Sequence, residues 1–157
     1  MMETNTLLQE AEALRQTILA DRRELHRHAE TGFDLKKTLP YVKRQLTDMG
    51  LAPVECGKAG LTALVGGKRP GKVFLLRADM DALPIREEAD VPFACQDGTM
   101  HACGHDLHTA MLLGAARLLM QHRQELSGTV KLVFQPDEEG FTGAKAMLAA
   151  GVLQDPA

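Results

Sequence analysis

The sequence has no apolar run long enough to cross a membrane. None of its windows approaches the ~18 consecutive apolar residues of a transmembrane helix. The first thirty residues carry charges throughout and lack the apolar segment of a signal peptide. We therefore expect no membrane partner and no export. The chain also lacks a basic excess: its net charge is −3, and no basic run is interleaved with aromatic residues. This composition gives no electrostatic support for binding to nucleic acid.

Cysteine is scarce and odd in number. Three cysteines in a chain without an export signal indicate reduced thiols in the cytoplasm rather than a disulfide framework. No internal repeat or low-complexity tract is visible. The 157 residues, 45% of them hydrophobic and 25% charged, are enough for one domain with a hydrophobic core.

Hydrophobic periodicity predicts four helices, over residues 4–28, 34–49, 107–126 and 143–150. Pro40 is awkward inside the second helix: it either lies in the first turn, so that the helix begins near Leu39, or it kinks the segment. Asp106 is expected to cap the third helix. We expect this helix to be largely buried, because apolar residues extend most of the way round it.

Four strands are predicted, over residues 51–56, 61–66, 72–77 and 129–134. The turn at Pro70-Gly71 favours an antiparallel hairpin from Leu61 to Arg77. The KVFLLR run of its second strand is typical of a strand that is buried on both faces.

Metal-ligating residue types are concentrated in one stretch, residues 101–108 (HACGHDLH). Cys103 and His105 are two positions apart, and a loop allows such a pair to converge on one ion. They do not have the spacing of a zinc-finger pair, and no second pair lies at finger distance, so a closed structural site is not expected.

A second polar cluster, residues 137–140 (DEEG), ends an apolar strand. Glu138 and Glu139 are adjacent, so their side chains do not point the same way along a strand. One of them can bind metal while the other faces substrate. That division suits hydrolysis, in which a metal lowers the pKa of a bound water toward ~7 and a carboxylate removes its proton.

Each feature also has a simpler structural explanation. Adjacent glutamates are usually solvated, Cys103 can be a small buried hydrophobic residue, and His108 can pack at a helix start. Asp79 and Asp81 suit a turn, but they also follow an interior strand, where α/β sheets place ligand groups.

Two further alternatives concern histidine and thiol chemistry. His26 and His28 are better explained as a solvated helix end than as ligands. A Cys103 nucleophile with a histidine base would leave the adjacent glutamates without a role. The combination of the two clusters is what favours a metal site.

Four blocks carry a resemblance to a known family. They are LHRHAETGF (residues 25–33), LRADMDALPI (76–85), MHACGHDLHTAMLLGAA (100–116) and VFQPDEEGFTGAKAMLAAG (133–151). In this order they closely resemble the amidohydrolase branch of the two-metal aminoacylase and carboxypeptidase family. That branch includes hippurate hydrolase, N-acyl-L-amino acid amidohydrolases, N-acetyldiaminopimelate deacetylase and plant auxin-conjugate hydrolases. The resemblance implies an α/β fold, a three-layer zinc-peptidase-like catalytic domain with a mixed sheet between helices, here truncated.

The resemblance also implies roles for individual residues. Cys103, His105 and Glu139 match metal ligands, and Glu138 matches the general base. Asp79 matches an aspartate that supports a metal-binding histidine in related branches.

Three residues of these blocks do not match a functional residue of the family. Arg77 stands where the related branches have that metal-binding histidine. His101 and His108 lie inside the motif without matching ligand positions.

The function implied is that of a metal-dependent amidohydrolase which cleaves the amide bond of N-acetyl or N-benzoyl amino acids. Two divalent ions (Zn, Mn, Co or Ni), a small-molecule substrate, a cytoplasmic location and a homodimer or homotetramer of the full-length protein follow from the same resemblance. Residues 1–157 would be the N-terminal part of the catalytic domain. Two further ligand histidines, the lid and dimerisation domain and the C-terminal part would be absent. The alternative is a non-catalytic fragment that binds at most one ion weakly and self-associates.

Overall fold

A four-stranded mixed sheet organises the computed structural model, which describes residues 4–154 and 156. The strands are β1 (Val54–Cys56), β2 (Gly60–Gly66), β3 (Arg69–Asp79) and β4 (Ser127–Gln135), in the spatial order β1-β2-β4-β3. The helices are α1 (Thr4–Ala13), α2 (Arg15–Arg27), α3 (Thr38–Asp48), α4 (His105–Gln121) and α5 (Gly143–Ala149). The predicted α/β class with a mixed sheet is confirmed.

Helices cover both faces of the sheet, which gives three layers. Leu61, Ala63 and Val65 alternate along β2 toward the main core, where they meet side chains of α2, α3 and α4. On the opposite face, Met147 of α5 packs on Val133 of β4 in a smaller cluster. Within the described part of the chain, no helix is both long and apolar enough to span a membrane.

The predicted hairpin between β2 and β3 is wrong. β4 lies between them, antiparallel to β2 and parallel to β3. The crossover through α4 brings β4 back parallel to β3, as a βαβ connection does. The tight passage of β3 past the start of β4 requires Gly128, where φ is +84° and a Cβ atom would lie 2.1 Å from the carbonyl oxygen of Lys72.

Strand β3 is also more exposed than its apolar sequence predicts. Phe74, Leu75 and Leu76 are 60%, 41% and 41% exposed. Among the described residues β3 is an edge strand with β4 as its one neighbour. Its carboxyl end is different, because Ala78 and Asp79 are buried.

The helix at residues 4–28 is interrupted at Leu14. The Leu14 amide is shared between the carbonyl oxygens of Glu10 (3.3 Å) and Ala11 (3.1 Å), a local tightening that separates α1 from α2. The helix expected from residue 34 begins at Thr38, which places Pro40 in its first turn as one alternative predicted. Its start is set by Glu30, whose carboxylate accepts the free amides of Lys37 and Thr38.

The buried crossover helix begins at His105 rather than Leu107. Its N-cap is Gly104, with φ at +83°, and no side chain caps it. Asp106 therefore does not cap the helix as predicted; its carboxylate is bound elsewhere. The helix is less buried than expected, because Leu107 and Met111 are 47% and 56% exposed on one side.

Candidate metal centre

The two polar clusters meet at one edge of the sheet. β3 and β4 are parallel, and Asp79 and Gln135 are paired where the strands end. The carboxyl ends of parallel strands are where α/β sheets place ligand groups. His105 reaches the same edge from the start of α4, the helix that connects the two strands.

His105 is buried and presents one ring nitrogen to a group of carboxylates. Its Nδ1 is 2.7 Å from the carbonyl oxygen of Asp81, which makes Nδ1 the donor. Its Nε2 lies 3.7 Å from both Asp79 Oδ2 and Glu138 Oε2, and 3.9 Å from Glu139 Oε1. Burial works to lower the pKa of His105, but the bond to Asp81 and the charge of Asp79 outweigh it and raise the pKa to about 9. Nε2 is thus the ring nitrogen of His105 that faces the carboxylates and could bind a cation.

Among the residues that the structure describes, two overlapping groups of side chains have the spacing of metal ligands. One is His105 with Glu138 and Glu139, and the other is Asp79 with His105 and His108; in each, the ligand atoms lie within 4.8 Å of one another. The first group contains three of the residues singled out from the sequence. His108 was not expected to be a ligand, and its place in the second group is new.

Asp81 is the residue whose importance the sequence did not reveal. It is fully buried, and its carboxylate accepts the backbone amides of Glu138 (2.9 Å) and Glu139 (3.2 Å). Burial opposes its ionisation, yet the bonds from His105 and from those two amides lower the pKa of Asp81. One aspartate thus holds His105 by its carbonyl and the adjacent glutamates by its carboxylate.

Asp79 is placed differently from its expected role. Its Oδ1 is 2.6 Å from Nδ1 of His108, and its Oδ2 is 3.2 Å from Nη1 of Arg77. Its carbonyl oxygen accepts the hydroxyl of Thr109 at 2.8 Å. Asp79 therefore orients His108 and contacts His105 only at longer range, so its support of a metal-binding histidine stays a prediction.

Cys103 is exposed and faces Glu139. The hydrogen bond to Glu139, desolvation and the nearby negative charges raise the pKa of the Cys103 thiol. A nucleophilic cysteine needs the opposite shift, because the thiolate is the reactive form. The surroundings of Cys103 thus disfavour thiol catalysis.

The residues present fit a divalent metal. Glu139 Oε1 is buried without a hydrogen-bond partner in the described part of the chain, and it faces His105 Nε2. The imidazole and carboxylate donors of the two groups suit zinc, manganese, cobalt and nickel. Cys103, which was expected to be a ligand, lies outside both groups; its thiolate would favour zinc.

A family model matches the part of the chain that carries this site. Residues 75–157 match Peptidase family M20/M25/M40. The chain belongs to this family. The match begins in β3 and includes both polar clusters.

Similarity to individual proteins supports the same family assignment. The chain is 48% identical over 135 residues to an N-acetylcysteine deacetylase of Bacillus subtilis, covering 84% of this chain and 36% of that protein. It is 45% identical over 139 residues to an N-acyl-L-amino acid amidohydrolase of Geobacillus stearothermophilus, covering 87% and 38%. The chain thus spans little more than a third of the length of these relatives.

A solved structure of the same family matches the fold. The B. subtilis YXEP protein, described as a dinuclear metal binding peptidase from the M20 family, superposes with a TM-score of 0.86 at 45% identity. The match covers 90% of this chain and 40% of that one. The resemblance identified from the four sequence blocks is therefore confirmed.

Proposed function

We propose that the full-length protein is a metal-dependent amidohydrolase that cleaves the amide bond of N-acylated amino acids, with residues 1–157 as the N-terminal part of its catalytic domain. The observation that carries this proposal is the convergence of His105, Glu138 and Glu139 at the carboxyl ends of two parallel strands. The relatives named for hydrolysis of N-acyl amino acids support the substrate class.

Cys103, His105 and Glu139 are the proposed metal ligands. Bound divalent ions would polarise the amide carbonyl and acidify water at the site. Two ions are proposed for the full-length protein, as zinc, manganese, cobalt or nickel; the name of the YXEP structure supports that number.

Glu138 is the proposed general base. Its side chain is 36% exposed, whereas that of Glu139 is 22% exposed, so Glu138 is the glutamate more open to substrate. Glu138 accepts a proton from the attacking water and passes it to the leaving amine. Asp81 fixes both glutamates by their backbone amides, which keeps the base and the ligand in a constant relation.

The test is hydrolysis of N-acetyl and N-benzoyl amino acids by the full-length protein with added Mn²⁺, Co²⁺ or Zn²⁺. Glu138→Gln is expected to lower kcat by about 10²–10⁴-fold, the usual contribution of a positioned base, while metal binding is retained. Glu88→Gln, at an exposed glutamate outside the site, is the matched control and should keep full activity. A Glu138→Gln enzyme as active as wild type would refute the role of Glu138, and no hydrolysis of any such amide would refute the substrate class.

A second proposal concerns the 157-residue chain on its own. The exposed apolar side chains along edge strand β3 favour self-association of this fragment. That the fragment is non-catalytic and binds at most one ion weakly stays a prediction. The two proposals are compatible, because one concerns the full-length enzyme and the other this part of it. Oligomerisation of the full-length protein as a dimer or tetramer, and its cytoplasmic location, stay predictions.

A further inference from the structure

His26, at the end of α2, is one of the most enclosed polar residues of the chain. The expectation of a solvated helix end is wrong for it, since His26 is 3% exposed. The rings of Phe93 and His101 lie 5.5 Å and 6.2 Å from its own, between centroids. His28, two positions later, is the residue that fits the original expectation: its side chain is 35% exposed and pairs only at 3.3 Å, with Glu24.

Both ring nitrogens of His26 face carboxylates. Nδ1 is 2.8 Å from Asp106 Oδ2, and Nε2 is 2.8 Å from Glu87 Oε1. An ionised carboxylate only accepts hydrogen bonds, so two such bonds require a proton on each ring nitrogen. The geometry is that of an imidazolium held between two anions, whose side chains are 0% and 1% exposed.

A fourth charge completes this buried cluster. Nε of Arg22 donates to Asp106 Oδ2 at 2.7 Å. His26 and Arg22 are thus the donors of the cluster, and Asp106 and Glu87 are its acceptors. Burial opposes the ionisation of Glu87, but the bonds from His26 and from the Cys95 amide lower the pKa of Glu87.

The two carboxylates lie on either side of the segment that carries the proposed metal ligands. Asp106 directly follows His105 in the first turn of α4. Glu87 accepts the amide of Cys95 at 2.7 Å and so anchors the loop of residues 86–100, which leads into Cys103. His26 therefore ties α2 to the chain both before and after the ligand segment.

We propose that His26 is a positioning residue for the metal centre: clamped between Glu87 and Asp106, its imidazolium fixes the loop that presents Cys103 and His105. The inference rests on the proposed metal function. Removing one member of a buried ionic cluster leaves its partners with uncompensated charge. Without the imidazolium, Glu87 loses the hydrogen bond to Nε2, and Asp106 keeps the bond from Arg22 but loses the one from Nδ1. The ligand loop is then no longer tied to α2 through His26.

The test measures Co²⁺ binding to the full-length protein by absorption, because a Cys103 thiolate on cobalt gives its own charge-transfer band. His26→Gln and Glu87→Gln are each expected to weaken Co²⁺ binding by about 10–100-fold, the usual cost of losing a residue that orients a ligand, and to diminish the thiolate band. Hydrogen exchange of the Cys95 amide in the metal-free protein should accelerate in both variants. His28→Gln, one position beyond the end of the same helix, is the matched control and should change none of these readouts.

Equal Co²⁺ affinity and an unchanged thiolate band in the two variants would overturn the positioning role of His26. If His26→Gln does not fold, the Co²⁺ affinity and the thiolate band of Glu87→Gln alone test the positioning role. A failure of the metal proposal itself gives a different result, because the wild-type protein would then show no thiolate band with Co²⁺. That result would also overturn the positioning role of His26.

Discussion

At the scale of single residues, two aspartates that lie two positions apart have different roles. Asp81 holds His105 and the amides of both adjacent glutamates, whereas Asp79 holds His108. Asp81 also leaves His105 with only Nε2 for a metal, because Nδ1 is already a donor. The orientation of the candidate centre thus depends on a buried residue that belongs to neither group of candidate ligands.

A buried neutral histidine beside the ligands makes stability depend on pH. Burial lowers the pKa of His101 to about 4, against an ordinary value of 6.5. The folded state therefore binds fewer protons than the unfolded state between those values, and stability is lost as the pH falls from 6.5 to 4. Compared with His101→Gln, wild-type protein should lose about 3 kcal/mol of unfolding free energy over this window, because a difference of one in pKa between the folded and unfolded states corresponds to about 1.4 kcal/mol. Chemical unfolding of the two metal-free proteins at pH 6.5 and at pH 4 measures this difference in unfolding free energy.

His122 is a control for His101, because its pKa is shifted in the opposite direction. Hydrogen bonds to Glu10 and Glu125 raise the pKa of His122. Its contribution is present below pH 6.5 and is lost as the pH rises through its folded pKa. His122→Gln should therefore not reproduce the effect of His101→Gln in the acid window. An equal pH dependence in His101→Gln and wild type would contradict the buried neutral state of His101.

The residues predicted from the sequence were those whose neighbours are close in the chain. Spacing and adjacency drew attention to Cys103, His105, Glu138 and Glu139, and the family resemblance implied their roles. Asp81 and His26 were missed because their partners are distant: 57 positions separate Asp81 from Glu138, and 80 separate His26 from Asp106. Only the Asp79-x-Asp81 spacing after a strand gave any signal for Asp81.

At the scale of elements, strand β3 stands out because one of its edges is unpaired among the described residues. Its one neighbour among the described residues is β4, and its outer edge carries exposed apolar side chains. Such an edge is a template for pairing with another chain. The unpaired edge and the candidate site share this strand, because Asp79 lies at its carboxyl end.

The 157-residue chain is expected to self-associate through β3, and Phe74→Lys should prevent it. Phe74 is 60% exposed, and a charge on an edge strand opposes edge-to-edge pairing. Sedimentation velocity over a range of concentrations measures the association. Leu8→Lys, at an apolar residue of α1 that is 70% exposed, is the control and should associate like the parent chain. A parent chain that stays monomeric at every concentration would refute the role of β3.

The positions of the helices and strands were easier to predict from the sequence than the pairing of the strands in the sheet. Periodicity located the helices and strands of the described chain to within a few residues, although it merged α1 with α2. It did not place β4 between β2 and β3, because the order of strands depends on the crossover through α4, whose contacts join distant parts of the chain. The apolar run of β3 indicated burial, but burial also depends on what covers the strand.

At the scale of the whole molecule, the fold is a support for one edge of the sheet. The parallel strands β3 and β4 bring Asp79 close to the segment of Glu138 and Glu139. Helix α4 places His105 beside these carboxylates, and His26 of α2 is bonded to the first turn of α4. The family match and the superposition with YXEP place this arrangement among M20/M25/M40 peptidases. Cys103, His105 and Glu139 are proposed to bind metal in the full-length protein.

X-ray absorption spectroscopy of the zinc-loaded full-length protein tests that claim most directly, because it reports the atoms bound to the metal. We expect a zinc–sulfur shell at about 2.3 Å, the usual distance to a cysteine thiolate, in addition to nitrogen and oxygen scatterers. Cys103→Ser should abolish the sulfur shell, while Cys56→Ser should leave it unchanged. A wild-type spectrum with only nitrogen and oxygen neighbours, or a sulfur shell that survives in Cys103→Ser, would contradict the proposed metal centre.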